Sequence, residues 1–285
     1  MNNRRIRLSR GELALWGLGL FLAAAFGGYV LALKQSSERL QTVARVVPEP
    51  GDELAGLRAK YGPTHYSQGI EEWIIRDFFH DERGGVFVDV GANDPKVNSN
   101  TYYLETALAW SGVAIEPQRK FATAYRMLRP KTIFIPLFVS DVSNEQAMLY
   151  VPENDLLASG TREFAETFGA VTPTPTTTTT LDDVLDRLKI ARVDFLSMDI
   201  ELAEPQGLAG FSIGRFQPRL VGIEAHPPVR QQILEYFATR GYSLIGKYLR
   251  IDGENFWFAP TGTVRDDAPA QTARLTPANS NRVSP

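Results

Sequence analysis

Val86-Phe87-Val88-Asp89-Val90 is a valine-rich run that leads straight into Gly91-Ala92-Asn93-Asp94. A short stretch that is apolar almost throughout, with no polar alternation, reads as a strand buried on both faces. Such strands belong to parallel sheets covered by helices on each side. Similar runs recur at residues 113–116, 132–139, 193–200 and 219–224. Between them, helical spacing is read at residues 98–110, 118–128, 181–188 and 228–240, with a short helix near 205–209 and an earlier amphipathic one at 70–79. This alternation predicts an α/β domain with a mostly parallel sheet. Residues 242–248 and 255–259 read as a closing antiparallel hairpin, and 146–151 as an antiparallel addition. The threonine- and proline-rich residues 171–180 read as an extended loop, with Thr180 capping the next helix.

The strands share a second property. Asp89 and Glu116 close the first two, Asp141 follows the third, Asp199 closes the fourth, and Glu224 closes the fifth with His226 two residues on. Parallel strands put their carboxyl ends on one edge, where α/β sheets bind ligands, so these acids are expected to converge. Gly91 supplies backbone freedom at the first turn. A carboxylate ending the second strand, as Glu116 does, can accept both hydroxyls of a ribose. The glycine fingerprint of a pyrophosphate site is incomplete, since it needs two more glycines and Gly91 is followed by Ala92-Asn93-Asp94-Pro95. That weakens a nicotinamide oxidoreductase reading and favours a nucleoside without a pyrophosphate.

Val88 to Asn93, Ile115-Glu116-Pro117, Thr180-Leu181-Asp182-Asp183, the run from Asp194 to Glu201 with Glu204, and Ile223-Glu224-Ala225-His226 together resemble the FkbM-type S-adenosylmethionine-dependent methyltransferases. The resemblance covers roughly residues 65–260. It implies a Rossmann-like class I methyltransferase fold, S-adenosyl-L-methionine as cofactor, and O-methylation. Carried over by position, Asp89, Gly91 and Asn93 would line the methionine side of the cofactor, Glu116 would bind its ribose, and Asp141 would lie near the adenine. Asp199, Glu201 and Glu204 fall on the family's acidic motif. Pro95 and Leu202 stand where the family commonly has glycine.

For a hydroxyl acceptor the protein must supply a base, and His226 suits by type and place, with Asp199 or Glu201 as the fallback. No metal is assigned. Without cysteine, any ion held by these acids would be a hard one. Residues 98–103 (Asn98-Ser99-Asn100-Thr101-Tyr102-Tyr103) read either as acceptor recognition or as helix capping, with Ser99, Asn100 or Thr101 as the cap.

Before the domain, residues 13–33, bounded by Leu13 and Leu33, carry no charge, long enough to cross a bilayer core of roughly 30 Å. Arg4, Arg5, Arg7 and Arg10 precede the run, which places the N-terminus in the cytoplasm. The organisation expected is an anchor over residues 1–34, a stalk over 35–62, the α/β domain over 63–260 and a disordered tail over 261–285. A net charge of −3 points to no nucleic acid, and a small-molecule or glycan acceptor is expected. A rival of another class is a catalytically silent membrane-anchored protein that uses this fold for partner binding or trafficking.

Overall fold

The computed structural model of the chain describes residues 50–263. The expected anchor, most of the stalk and nearly all of the tail lie outside the described residues. Among the described residues no helix is long and apolar enough to cross a membrane.

The described strands are β1 (Val86–Val90), β2 (Ser111–Ile115), β3 (Thr132–Ile135), β4 (Phe138–Val139), β5 (Gln146–Val151), β6 (Thr172–Thr179), β7 (Phe195–Met198), β8 (Leu220–Glu224), β9 (Tyr242–Leu244) and β10 (Asn255–Pro260). Seven make the main sheet, in the order β3-β2-β1-β7-β8-β10-β9. The first five in that order are parallel, and β10 runs antiparallel to both of its neighbours. The chain builds outward from β1 through β2 to β3, then returns to lay β7 on the other side of β1. That reversal opens a crevice between the carboxyl ends of β1 and β7, the place where doubly wound sheets hold ligands.

Both faces of the sheet are buried, as the uninterrupted apolar runs require. On one face Val88, Val90, Leu196 and Met198 pack with Leu181, Leu208, Phe216 and Ile233 of the helices Leu181–Arg187, Glu204–Ala209, Ile213–Phe216 and Arg230–Ala238. On the other, Phe87, Phe195 and Trp257 meet Trp73, Ile74 and Ile75 of the helix Glu71–Phe79 and Leu104 of the helix Tyr102–Leu108. Each such fully buried aromatic or branched side chain contributes about 1.5–3 kcal/mol. The helix Pro50–Tyr61 adds Leu57 to this second face.

Four expectations need correction. The third strand is not continuous over residues 132–139. Pro136 offers no N–H, so β3 stops at Ile135 and β4 leaves the main sheet to pair with Thr178 and Thr179 of β6. The threonine-rich segment is not a loop. It forms β6, paired antiparallel with β5 over residues 172–177. β-branched threonines suit a strand, and its prolines fall where no ladder bond is lost. Tyr150 exchanges both backbone bonds with Ser159, so it spends none on its partner Pro173. Pro173 and Pro175 therefore turn their nitrogens to the open edge. The helix expected from residue 98 begins only at Tyr102, because the Thr101 hydroxyl goes to Asp89 rather than to a cap. The closing hairpin is interrupted by the short helix Gly246–Leu249 between β9 and β10. By contrast, Thr180 caps its helix as expected, accepting from the Asp183 N–H at 3.1 Å.

Candidate active site

A cavity of about 460 Å³ opens at the carboxyl ends of β1, β2, β7 and β8. That is within the range of about 300–1,000 Å³ typical of small-molecule sites. Asp89, Gly91, Asn93, Glu116, Asp199, Glu201 and His226 all line it. Asp141 does not. The departure of β4 carries Asp141 to an exposed position, where it accepts from the Ser140 hydroxyl at 3.0 Å and borders a separate depression with Thr180 and Asp182. Phe138 of the diverted strand and Leu137 just before it face the cavity in its place.

The turn after β1 is shaped by its backbone. Gly91 has φ +81°, and a Cβ built there would lie 1.7 Å from the carbonyl oxygen of Asp199. The glycine lets the ends of β1 and β7 approach each other, so the close contact is with protein and not only with ligand space. Asn93, at φ 42°, also takes the left-handed region that Asn tolerates better than most residues.

Asp89 is buried beneath this turn, and burial raises its carboxyl above the ordinary value against the lowering effects of Thr101 and Arg129. Thr101 Oγ1 donates to Asp89 at 2.7 Å. Arg129, fully buried, holds the loop that carries Thr101. It donates to Glu105 at 2.7 Å, to the Pro95 carbonyl at 2.9 Å and to the Thr101 carbonyl at 3.1 Å. Pro95 thus presents its carbonyl to a buried guanidinium within a fixed loop. Asn100 reaches across to the Ser197 hydroxyl at 3.1 Å. Residues 98–101 accordingly serve the site and its support, and none of their side chains caps the helix Tyr102–Leu108.

Glu116 lies just beyond β2 and accepts backbone N–H groups from Gln118 at 2.9 Å and Asn93 at 3.3 Å. Burial outweighs these bonds and pushes its carboxyl up to about 7. Among the described residues no cation pairs with it, so it presents an acceptor to the cavity.

The opposite wall is acidic. Asp199 lines the cavity and keeps an exposed surface, and the protein around it still raises its carboxyl. The protein around them raises the carboxyls of Asp199 and Glu224, by desolvation first, and the charge of Asp199 adds to the rise at Glu224. Burial also pushes Glu201 up to about 8 and Glu204 up to about 7. His226 Nε2 lies 3.1 Å from Glu201 Oε2 and 3.0 Å from Glu224 Oε2, and the imidazole packs 5.3 Å from the ring of Phe164. Glu201 and Leu202 have φ of 53° and 79°. The position where the family commonly has glycine is therefore a left-handed backbone position in this chain. Leu202 bears a cost on the order of 1 kcal/mol for it, offset by its packing against the core.

Several residues at the cavity carried no sequence signal. Asn154, Asp155 and Leu156 come from a loop of the inserted β4-β6-β5 sheet. The Asp155 carbonyl accepts from Gln118 at 3.1 Å and from Asn93 at 3.4 Å, which ties that loop to the turns after β1 and β2. Phe164 and Phe168 line the wall beside His226. The inserted sheet depends on the break at Pro136, which was the one available hint.

No curated protein matches the chain. Among solved structures, it is similar to an O-methyltransferase from Bacillus cereus in complex with S-adenosylhomocysteine, at 13% identity over 77% of this chain and 95% of that one, with a TM-score of 0.38. It is also similar to a TehB-like S-adenosylmethionine-dependent methyltransferase from Corynebacterium glutamicum, at 12% identity over 74% and 95% with a TM-score of 0.39. The sequence model of the methyltransferase FkbM domain matches residues 89–244, from the buried Asp89 of β1 to the end of β9. With more than half of its length matched, the chain belongs to the FkbM family of S-adenosylmethionine-dependent methyltransferases.

Proposed function

We propose that this methyltransferase is membrane-anchored and methylates a hydroxyl of a sugar or glycan-type acceptor. The observation that carries the reading is His226, set beside Glu201 at the cavity wall. Methyl transfer to a hydroxyl needs a base, whereas transfer to a neutral amine needs none before attack. Bound S-adenosylmethionine supplies a methyl group on a positively charged sulfur. His226 takes the proton of the attacking hydroxyl, and the Glu201 carboxyl stabilises the imidazolium that forms. Gln68, Asn98, Asn100 and Asn255 line the same cavity, and their amides suit an acceptor rich in hydroxyls.

On the cofactor side, Asp89, Gly91 and Asn93 hold the methionine end and Glu116 accepts the ribose hydroxyls. Leu137 and Phe138 take the adenine in place of Asp141. Glu116 gives a signed pH dependence. Its carboxyl is raised in the free protein, so its contribution to stability is fully present below the ordinary value near 4.5 and is lost as pH rises through about 7. Ribose hydroxyls donate to the ionised form, so cofactor affinity moves the other way. Calorimetry with S-adenosylhomocysteine will show binding about tenfold weaker at pH 6 than at pH 8, following the ionised fraction of a group near 7. Glu116→Gln will weaken binding at pH 8 by roughly 10–100-fold, the worth of charge-assisted hydrogen bonds, and flatten the profile. A profile unchanged by this substitution would remove Glu116 from the ribose.

His226→Gln will lower the rate of labelled methyl transfer on the order of a hundredfold while S-adenosylhomocysteine affinity is retained. Transfer to amines alone, with hydroxyl acceptors inert, would overturn the O-methylation reading.

The anchor rests on the uncharged residues 13–33 and their basic flank. A reporter fused after Pro285 tests its orientation. The charge rule expects the reporter on the far side from the cytoplasm, and a cytoplasmic signal would overturn that orientation while leaving the enzyme reading intact.

A further inference from the structure

At the floor of the cavity Asp199, Glu204 and Glu224 each offer a carboxylate oxygen, all within 4.8 Å of one another. Glu201, Glu224 and His226 form a second such group that shares Glu224. Acidic clusters are common and carry little by themselves. This one has a further property. Among the described residues only four buried side-chain polar atoms lack a hydrogen-bond partner, and two of them are Glu204 Oε2 and Glu224 Oε2. Glu204 is 0% exposed, and its other oxygen, Oε1, accepts the Ile200 N–H at 3.0 Å. The orphaned oxygen is thus fixed in place by its sibling, on a side chain that belongs to this cluster. Glu224 Oε2 has His226 Nε2 at 3.0 Å, but the hydrogen-bond geometry of that nitrogen is met with Glu201 Oε2. Buried oxygens without partners are costly, and native structures retain them where something else completes them.

Charge points the same way. Among the described residues no lysine or arginine forms an ion pair with Asp199, Glu201, Glu204 or Glu224. Arg230 lines the cavity nearby, yet its Nε donates to the Ala225 carbonyl. Four carboxyl groups therefore share one imidazole. We infer that Asp199, Glu204 and Glu224 form a binding site for a hard divalent cation, Mg²⁺ or Mn²⁺, at the base of the methyl-transfer cavity. The donors are all oxygen, and the chain has no cysteine, so softer ions find no preferred ligand. The first group is preferred over the second because both orphaned oxygens belong to it and His226 is engaged with Glu201. Asp199 and Glu224 border the cavity while Glu204 lies beneath it, so the ion would turn its open positions towards an acceptor oxygen. What the ion does rests on the reading of this cavity as the place of hydroxyl methylation. Whether it binds does not.

The test takes the full-length chain in detergent with Mn²⁺ as the only added ligand, and reads the loss of the free Mn²⁺ electron paramagnetic resonance signal. One Mn²⁺ per chain is expected. Glu204→Gln keeps a carbonyl oxygen for the Ile200 N–H, and circular dichroism checks that it folds. It will weaken Mn²⁺ binding by ~10-fold or more, the least that loss of even a supporting residue costs a metal site. His226→Gln, which removes only a neighbour of Glu224, will weaken Mn²⁺ binding less than Glu204→Gln does. Wild-type protein that binds no Mn²⁺, or Glu204→Gln that binds as wild type, overturns the site. Loss of binding in His226→Gln with Glu204→Gln unaffected also overturns it, by moving the ion to the second group. Mn²⁺ bound without any hydroxyl methylation rejects the proposed function alone, and methylation without Mn²⁺ binding rejects the metal site alone.

Discussion

Gly91→Ala will lower the thermal midpoint by about 4–16 °C and leave no measurable S-adenosylhomocysteine binding. The added methyl would sit 1.7 Å from the Asp199 carbonyl oxygen and 2.8 Å from its carbon, so β1 and β7 must part. Overpacking of this kind costs about 1–3 kcal/mol. The left-handed backbone at φ +81° adds roughly 1 kcal/mol for any residue with a Cβ. In a domain of this size each kcal/mol moves the midpoint by about 2–4 °C. Separation of the strand ends also moves Asp89 away from Asp199, so binding is lost before the fold is. Gly214→Ala is the matched control. That glycine is exposed in the helix Ile213–Phe216, with nothing within 4 Å of a built Cβ, and the change will be neutral or slightly stabilising. A midpoint unmoved by Gly91→Ala would show that the two strand ends can slide apart freely, and the cradle would lose its meaning.

Arg129→Met will destabilise the protein by about 3–5 kcal/mol, the cost of leaving one member of a buried ion pair alone. Arg129 and Glu105 have side-chain exposures of 0% and 3%. Removal of the guanidinium strands the Glu105 carboxylate and the carbonyls of Pro95 and Thr101. Thermal unfolding reads the loss, and a second substitution separates charge from shape. Arg129→Met with Glu105→Leu will recover part of the midpoint, since two apolar side chains can replace a buried pair. The double variant will still bind S-adenosylhomocysteine less tightly than wild type, because nothing then holds Thr101 against Asp89. Full recovery of binding in the double variant would show that Arg129 acts on the fold alone.

Four of the five strand-end acids were legible in the sequence because parallel strands convert a local pattern into a shared edge. Asp89, Glu116, Asp199 and Glu224 meet in the cavity for that reason. Asp141 fails by the same logic, since Pro136 removes its strand from the sheet and the edge no longer includes it. Arg129 left no trace in the sequence. It closes a helix that carries no special pattern, and its value lies in four partners 24 to 34 residues away along the chain. The loop at Asn154 was equally silent, because it reaches the cavity only through the pairing of β5 with β6. Periodicity reports which face of an element is buried. It does not report which distant loop will lie across that face. The carboxyls pushed up towards neutrality also depend on this closure, for each is raised first by burial.

The inserted sheet carries a safeguard of its own. A small three-stranded sheet on a protein surface invites a neighbouring molecule to add a fourth strand. Along most of its open side, β6 can offer carbonyls but few donors, since Pro173 and Pro175 fall on the positions that face outward. An incoming chain finds no two-way ladder to join. The tract of threonine and proline thus suits strand formation with its own partner while refusing polymerisation with a stranger. Replacing both prolines by threonine would keep the strand and open its flank to self-association.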